Sequence, residues 1–244
     1  MPRKLLRAIA LLALLLGGCG AAHAQAYGIA TRDPQVPAIT GYLSLPPGRG
    51  PFPAVVLFHG LRVYATYTGT FAVLTEHYNR MGIATLAVDW GSARNLRNGG
   101  PLGIGTMESV IEDAFAANAF LRSLPVIRPD KIFFEGFSLG GYVAKWVTTA
   151  QNENRRDRFA GAIGFSPRCN QDLRTVDYAA PVVLVLPDAS DASPQLCAVA
   201  QGRPNLDIVL VHSTVHDYYE DHNGEPWKEA LRHGDAMIAA VLAR

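Results

Sequence analysis

Short apolar runs that stop at turn residues recur along the chain, and the segments between them carry apolar positions at helical spacing. The runs at 39–45, 54–58, 83–88, 132–135, 161–165, 182–186 and 208–211 read as strands. Most are apolar without alternation, as expected of strands covered on both faces. Segments 68–80, 108–124, 142–150 and 226–242 read as helices, the last with Pro226 at its first helical position. This alternation predicts an α/β fold, a mostly parallel central sheet with helices on both faces. Residues 151–158 are polar throughout and read as a solvated helix end and loop. With no internal repeat and no flexible linker, residues 25–244 read as one domain.

The N-terminus breaks this pattern. Arg3, Lys4 and Arg7 precede an apolar run at 8–16, followed by small residues and Ala22-His23-Ala24. That is the layout of a signal peptide over residues 1–24, cleaved before Gln25. An alternative cleavage fits Leu16-Gly17-Gly18-Cys19, which resembles a bacterial lipobox and would leave Cys19 as a lipid anchor. The apolar run is about half of the ~20 residues that a membrane span needs, so none is expected. Either route implies export, to the periplasm or beyond.

Composition sharpens this. The 244-residue chain is 49% apolar and 18% charged with net charge +1. The three cations of the leader exceed that net charge, so the remainder is mildly acidic, and no nucleic-acid partner is expected. Cys19 is removed or lipidated, which leaves Cys169 and Cys197 as a pair in an oxidising compartment. They are expected to be disulfide-bonded, two buried thiols being the alternative. A bond closing that loop stabilises by roughly 3.6 kcal/mol in the chain-entropy description.

The chemistry centres on Gly136-Phe137-Ser138-Leu139-Gly140-Gly141, a G-x-S-x-G pattern that follows a strand and opens a helix. The pattern alone is weak; in the strand–turn–helix setting it marks a nucleophile elbow, with Ser138 as nucleophile. A serine needs a base to take its proton and an acid to orient that base. Asp188 and Asp191 follow the strand at 182–186, and His212 and His216 follow the strand at 208–211, so the order Ser, acid, His is satisfied. Asp188 lies almost at its strand end and suits capping of the turn, which favours Asp191; His212 is similarly close to its strand, which favours His216. Backbone N–H groups of Leu61 and Leu139 are the candidate oxyanion donors. His59, Arg62, Trp90 and Arg94 are candidate substrate-binding residues, Arg94 because a guanidinium suits a substrate carboxylate. His59 also suits shaping of the loop it opens. Glu135 is unusual in a central strand, and the sequence leaves open whether it serves a pocket or a buried partner. His212 and His216 do not share a helix face, so no metal site is expected.

Phe58-His59-Gly60, the serine motif, Asp191-Ala192-Ser193-Pro194 and Val215-His216-Asp217 together resemble the α/β-hydrolase superfamily, and their layout is similar to its dienelactone hydrolase-like branch. The resemblance covers roughly residues 39–244. It implies an α/β-hydrolase fold, no cofactor and a small-molecule ester or lactone substrate. It also places the acid three residues before a proline, which matches Asp191. Dienelactone hydrolase itself has a cysteine nucleophile and a glutamate near the oxyanion loop, where this chain has Ser138 and Leu57. The expected function is that of an exported serine esterase working through an acyl-enzyme. Acyl transfer or peptide hydrolysis with the same triad, and a non-catalytic exported binding protein, are the alternatives.

Overall fold

The computed structural model describes residues 24–97, 100–169, 175–190 and 193–244. Residues 1–23 of the leader, Cys19 among them, and the favoured acid Asp191 therefore lie outside the described residues.

Eight strands form one sheet: β1 (Gln25–Ala30), β2 (Ala38–Ser44), β3 (Phe52–Phe58), β4 (Ala84–Asp89), β5 (Ile127–Phe137), β6 (Gly161–Phe165), β7 (Val182–Pro187) and β8 (Leu206–Val211). Their spatial order is β1-β2-β4-β3-β5-β6-β7-β8. The first two pairings, β1 with β2 and β2 with β4, are antiparallel; every other pairing is parallel. All strands read from the apolar runs are present. β1 is the exception to that reading: it is mostly exposed and polar at its start, and only its six-residue register with β2 makes it a strand. A sheet edge with one buried position carries too little apolar pattern to be seen in sequence.

Five helices are described: α1 (Thr68–Arg80), α2 (Met107–Arg122), α3 (Leu139–Val147), α4 (Ser193–Ala198) and α5 (Glu225–Leu242). α1 and α5 pack on one face of the sheet, through Phe71, Leu74 and Tyr78 of α1 and Trp227, Ala230, Ile238 and Val241 of α5. α2 and α3 cover the other face through Val110, Ala114, Leu121, Val143 and Val147. α2 starts at a capping box in which Thr106 and Ser109 exchange hydrogen bonds. α5 carries Pro226 in its first turn, as the sequence predicts. Because both faces are covered, β3, β4, β6 and β7 are buried almost throughout, which explains their unbroken apolar sequence.

Glu135 interrupts this core. It shares a face of β5 with Phe133 and Phe137 and is fully buried beneath α1 and α5. Tyr78 of α1 donates its hydroxyl proton to Glu135 Oε2, while Oε1 has no partner among the described residues. Burial pushes the carboxyl up to about 8, only partly offset by the Tyr78 hydroxyl. Glu135 is thus a buried group bonded to a helix, not a group of the catalytic edge. In the folded chain it keeps its proton well above the ordinary carboxylate range of about 4.5, whereas the unfolded chain releases it there. Its contribution is therefore fully present below about pH 4.5 and is lost as pH rises towards 8, by about 1.4 kcal/mol per pH unit. Glu135→Gln, which cannot ionise, should be more stable than wild type at pH 8, and its advantage should shrink towards pH 5. Denaturant titrations across that range check this, and a pH-independent difference would contradict it.

Candidate active site

Parallel strands carry their C-terminal ends to one edge of the sheet, where such folds place their sites. There β3 is followed by His59, β5 by Ser138, β6 by Ser166, β7 by Asp188 and β8 by the loop leading to His216.

The turn between β5 and α3 is a single residue long. Ser138 has φ 53° and ψ −107°, a left-handed conformation that costs a non-glycine residue energy and lifts its side chain out of the strand. Strand and helix approach so closely that a Cβ on Gly136 would strike the backbone of Gly140, and a Cβ on Gly140 the backbone of Phe58. The Ser138 N–H donates to the carbonyl of Phe165 at 2.8 Å, tying the turn to β6. His216 Nε2 lies 3.0 Å from Ser138 Oγ, within hydrogen-bond reach. The backbone carbonyl of His216 accepts from the Ser166 hydroxyl at 2.6 Å, which anchors the histidine loop to the end of β6.

A cavity of about 500 Å³ opens over this pair. Its polar lining is Ser138, Ser166, His216 and Arg168; Leu61, Met107, Leu139 and Tyr142 supply apolar surface. Leu61 and Leu139 are the two residues expected from sequence to offer backbone N–H groups. Leu139 opens α3, so its N–H has no acceptor within the helix. Gly60, beside Leu61, runs so close to Ser138 that a Cβ there would come within 2.9 Å of Ser138 Cβ.

The alternative acid and base pair with each other. Asp188 accepts from His212 Nδ1 at 3.0 Å and from the Ser213 N–H at 3.1 Å. Asp188 is held below the ordinary carboxylate range, chiefly by the His212 hydrogen bond, and His212 is raised by the same bond. His212 is 94% exposed, and neither it nor Asp188 is among the described residues lining the cavity over Ser138 and His216.

None of the four candidate substrate-binding residues is among the described residues that line this cavity. His59 is fully buried: Nδ1 donates to the carbonyls of Gly60 and Arg62 at 2.8 and 3.1 Å, and Nε2 accepts from the Gly91 N–H at 3.3 Å. It shapes the Leu61 loop from beneath. Trp90 is also fully buried, stacked on His59 with ring centroids 4.6 Å apart and donating its indole N–H to the His59 carbonyl. Arg94 is a clear correction to the carboxylate-binding expectation. Its guanidinium is fully buried, bonded twice to Asp113 at 2.9 and 3.0 Å and to Asp33 at 2.9 Å, so its charge is already matched. Arg62 is half-buried and pairs with Asp217, at 3.1 Å, and with Glu220. Asp217 directly follows His216 and also accepts from the Tyr219 hydroxyl at 2.6 Å. Arg62 therefore clamps the Leu61 loop to the His216 loop.

Sequence reasoning missed Tyr142, Ser166, Arg168 and Met107. Ser166 and Arg168 follow the end of β6, and that placement alone is a usable signal; Tyr142 lies one helical turn after Ser138. Met107 has no such signal. Cys169 and Cys197 are disulfide-bonded, with Cα atoms 5.2 Å apart, joining the β6 loop to α4.

No curated protein sequence matches the chain. Solved structures share its fold. The Est2 esterase of the planctomycete Thermogutta terrifontis with butyrate bound is 15% identical, with a TM-score of 0.69, over 90% of this chain and 94% of that one. The same enzyme phosphorylated by paraoxon is 16% identical at 0.69 over the same shares of both chains. A putative dienelactone hydrolase from Klebsiella pneumoniae is 15% identical at 0.70, over 90% of this chain and 99% of that one. A family model described as serine aminopeptidase, S33, matches residues 50–223, a stretch that begins just before β3 and takes in both Ser138 and His216. With more than two thirds of its length under that match and this sheet beneath its Ser138 turn, the chain belongs to the serine aminopeptidase, S33, family of α/β hydrolases.

Proposed function

We propose that the chain is a serine hydrolase of carboxylic esters, lactones included, working through an acyl-enzyme. The observation that carries this reading is the 3.0 Å approach of His216 Nε2 to Ser138 Oγ on a strained elbow under a partly apolar cavity. His216 takes the Ser138 proton as Oγ attacks the ester carbonyl. Leu61 and Leu139 N–H groups receive the negative charge that develops on the carbonyl oxygen. His216 returns the proton to the leaving alcohol, and water, activated by the same imidazole, releases the acyl group. Asp191 is assigned the orienting role, since Asp188 is committed to His212. That Est2, described as an esterase of the same fold, binds butyrate and is phosphorylated by paraoxon supports this reading.

The family description names an aminopeptidase, so peptide hydrolysis is the reading to weigh. A free peptide N-terminus is a cation and calls for a carboxylate in the pocket. Among the described lining residues the cavity offers Arg168 and no carboxylate, which favours esters. Export follows in this proposal from the leader of Arg3, Lys4, Arg7 and Ala22-His23-Ala24.

A fluorophosphonate probe should label wild type and not Ser138→Ala, and p-nitrophenyl esters should be cleaved far faster than the matching anilides. His216→Ala should lower kcat by about 10³-fold or more. Asp191→Asn should cost at least about 10²-fold, with Asp188→Asn costing much less; a reversed order would give the acid role to Asp188. Arg62→Ala should lower kcat several-fold with little change in KM, by loosening the two loops. Asp217→Asn should add little on that background, a coupling of about 0.5–1 kcal/mol in a double-mutant cycle. Fully additive losses would remove the clamp from the mechanism.

A further inference from the structure

Most of the buried or half-buried arginines in the described chain are matched to carboxylates. Arg32 and Arg155 pair with Glu112 and Asp157, Arg94 with Asp33 and Asp113, Arg203 with Asp177, and Arg62 at the site itself with Asp217 and Glu220. Arg168 is different. It is exposed, lines the cavity that holds Ser138 and His216, and its guanidinium makes no ion pair or hydrogen bond with a described residue. It is also the one cationic lysine or arginine among the described lining residues.

The short loop that carries it is held at Ser166, Arg168 and Cys169. Ser166 sits at φ 47° and bonds the His216 carbonyl through its hydroxyl. Lys145, fully buried on α3, sends its ammonium to the Arg168 carbonyl at 2.7 Å, and the same ammonium lies 4.2 Å from the centre of the Tyr142 ring. Cys169, the next residue, is locked to Cys197 on α4. Burying an ammonium is costly, so a fold that uses one to hold a loop carbonyl gains from that loop's position. The backbone of Arg168 is held while its side chain is left available to the cavity.

We infer that Arg168 reads an anionic group on the substrate, and that the preferred substrates are esters bearing a carboxylate on the acyl chain, such as half-esters of dicarboxylic acids. The inference rests on the ester-hydrolase reading above. A guanidinium pairs with a carboxylate through two parallel charge-assisted hydrogen bonds, and Leu61, Met107, Leu139 and Tyr142 suit the methylenes between that carboxylate and the scissile carbonyl. Binding of this kind acts in the ground and transition states alike, so it is read mainly in KM.

Mono-p-nitrophenyl glutarate and p-nitrophenyl valerate have acyl chains of equal length and differ in the terminal charge. After subtraction of spontaneous hydrolysis, the ratio of their kcat/KM values should favour the glutarate for wild type. It should fall at least about tenfold in Arg168→Ala, chiefly through KM, and further in Arg168→Glu, with Arg168→Lys keeping part of the preference. Added sodium chloride should lower the wild-type ratio and leave that of Arg168→Ala almost unmoved. Cleavage of both esters in a ratio that Arg168→Glu does not change would overturn the role of Arg168 alone. Failure of wild type to cleave either ester, or cleavage that survives in Ser138→Ala, would overturn the hydrolase reading itself.

Discussion

The site depends on a serine held in a backbone conformation that serine avoids. At φ 53° and ψ −107°, Ser138 is neither strand nor helix, and the chain reverses from β5 into α3 across this single residue. Such a residue persists only where its surroundings over-determine it. Here Gly136 and Gly140 allow strand and helix to touch, the Phe165 carbonyl takes the Ser138 N–H, and the loop after β3 closes over the side chain. The result is a hydroxyl raised above the sheet edge, beside the first N–H of a helix, where a nucleophile and its oxyanion donor need to be adjacent.

The rest of the edge is arranged by the parallel sheet. Each parallel strand delivers its following loop to the same side, so residues 59–62, 138, 166–168, 188 and 212–217 converge from distant sequence positions without special pairing between them. What those loops need in addition is relative placement, and the chain supplies it with buried or half-buried polar contacts: His59 under the Leu61 loop, Arg62 to Asp217, Ser166 to the His216 carbonyl and Lys145 to the Arg168 carbonyl. The Arg62 and Ser166 contacts tie loops that carry different parts of the site, His59 holds its own loop, and Lys145 holds the β6 loop to α3. Removing one would shift distances by fractions of an ångström, a scale to which catalysis is sensitive.

How much of this was legible in the sequence follows from what each signal is. β3, β4, β6 and β7 are buried almost throughout and therefore apolar, so they could be read; β1 is held by backbone pairing with β2 and left no pattern. Ser138 and His216 were legible because the elbow constrains neighbouring residues and because both follow strands. Arg94 was misread for a related reason. It also follows a strand, but whether an arginine meets a substrate or two aspartates from α2 and the turn after β1 is decided by tertiary packing, which local sequence does not encode. Arg168 was missed although it lies after β6 at the same edge. Glu135 was flagged as odd, yet its partner Tyr78 stands 57 positions away and no spacing rule reaches that far.

The central claim is that Ser138 forms a covalent acyl intermediate. Rapid mixing of enzyme with a p-nitrophenyl ester, acid quenching in the first turnover and peptide mass spectrometry test it most directly. The account predicts a burst of p-nitrophenol approaching one equivalent, with the added acyl mass confined to the peptide that holds Ser138. An acyl group on any other residue, or turnover with Ser138 never acylated, would contradict it.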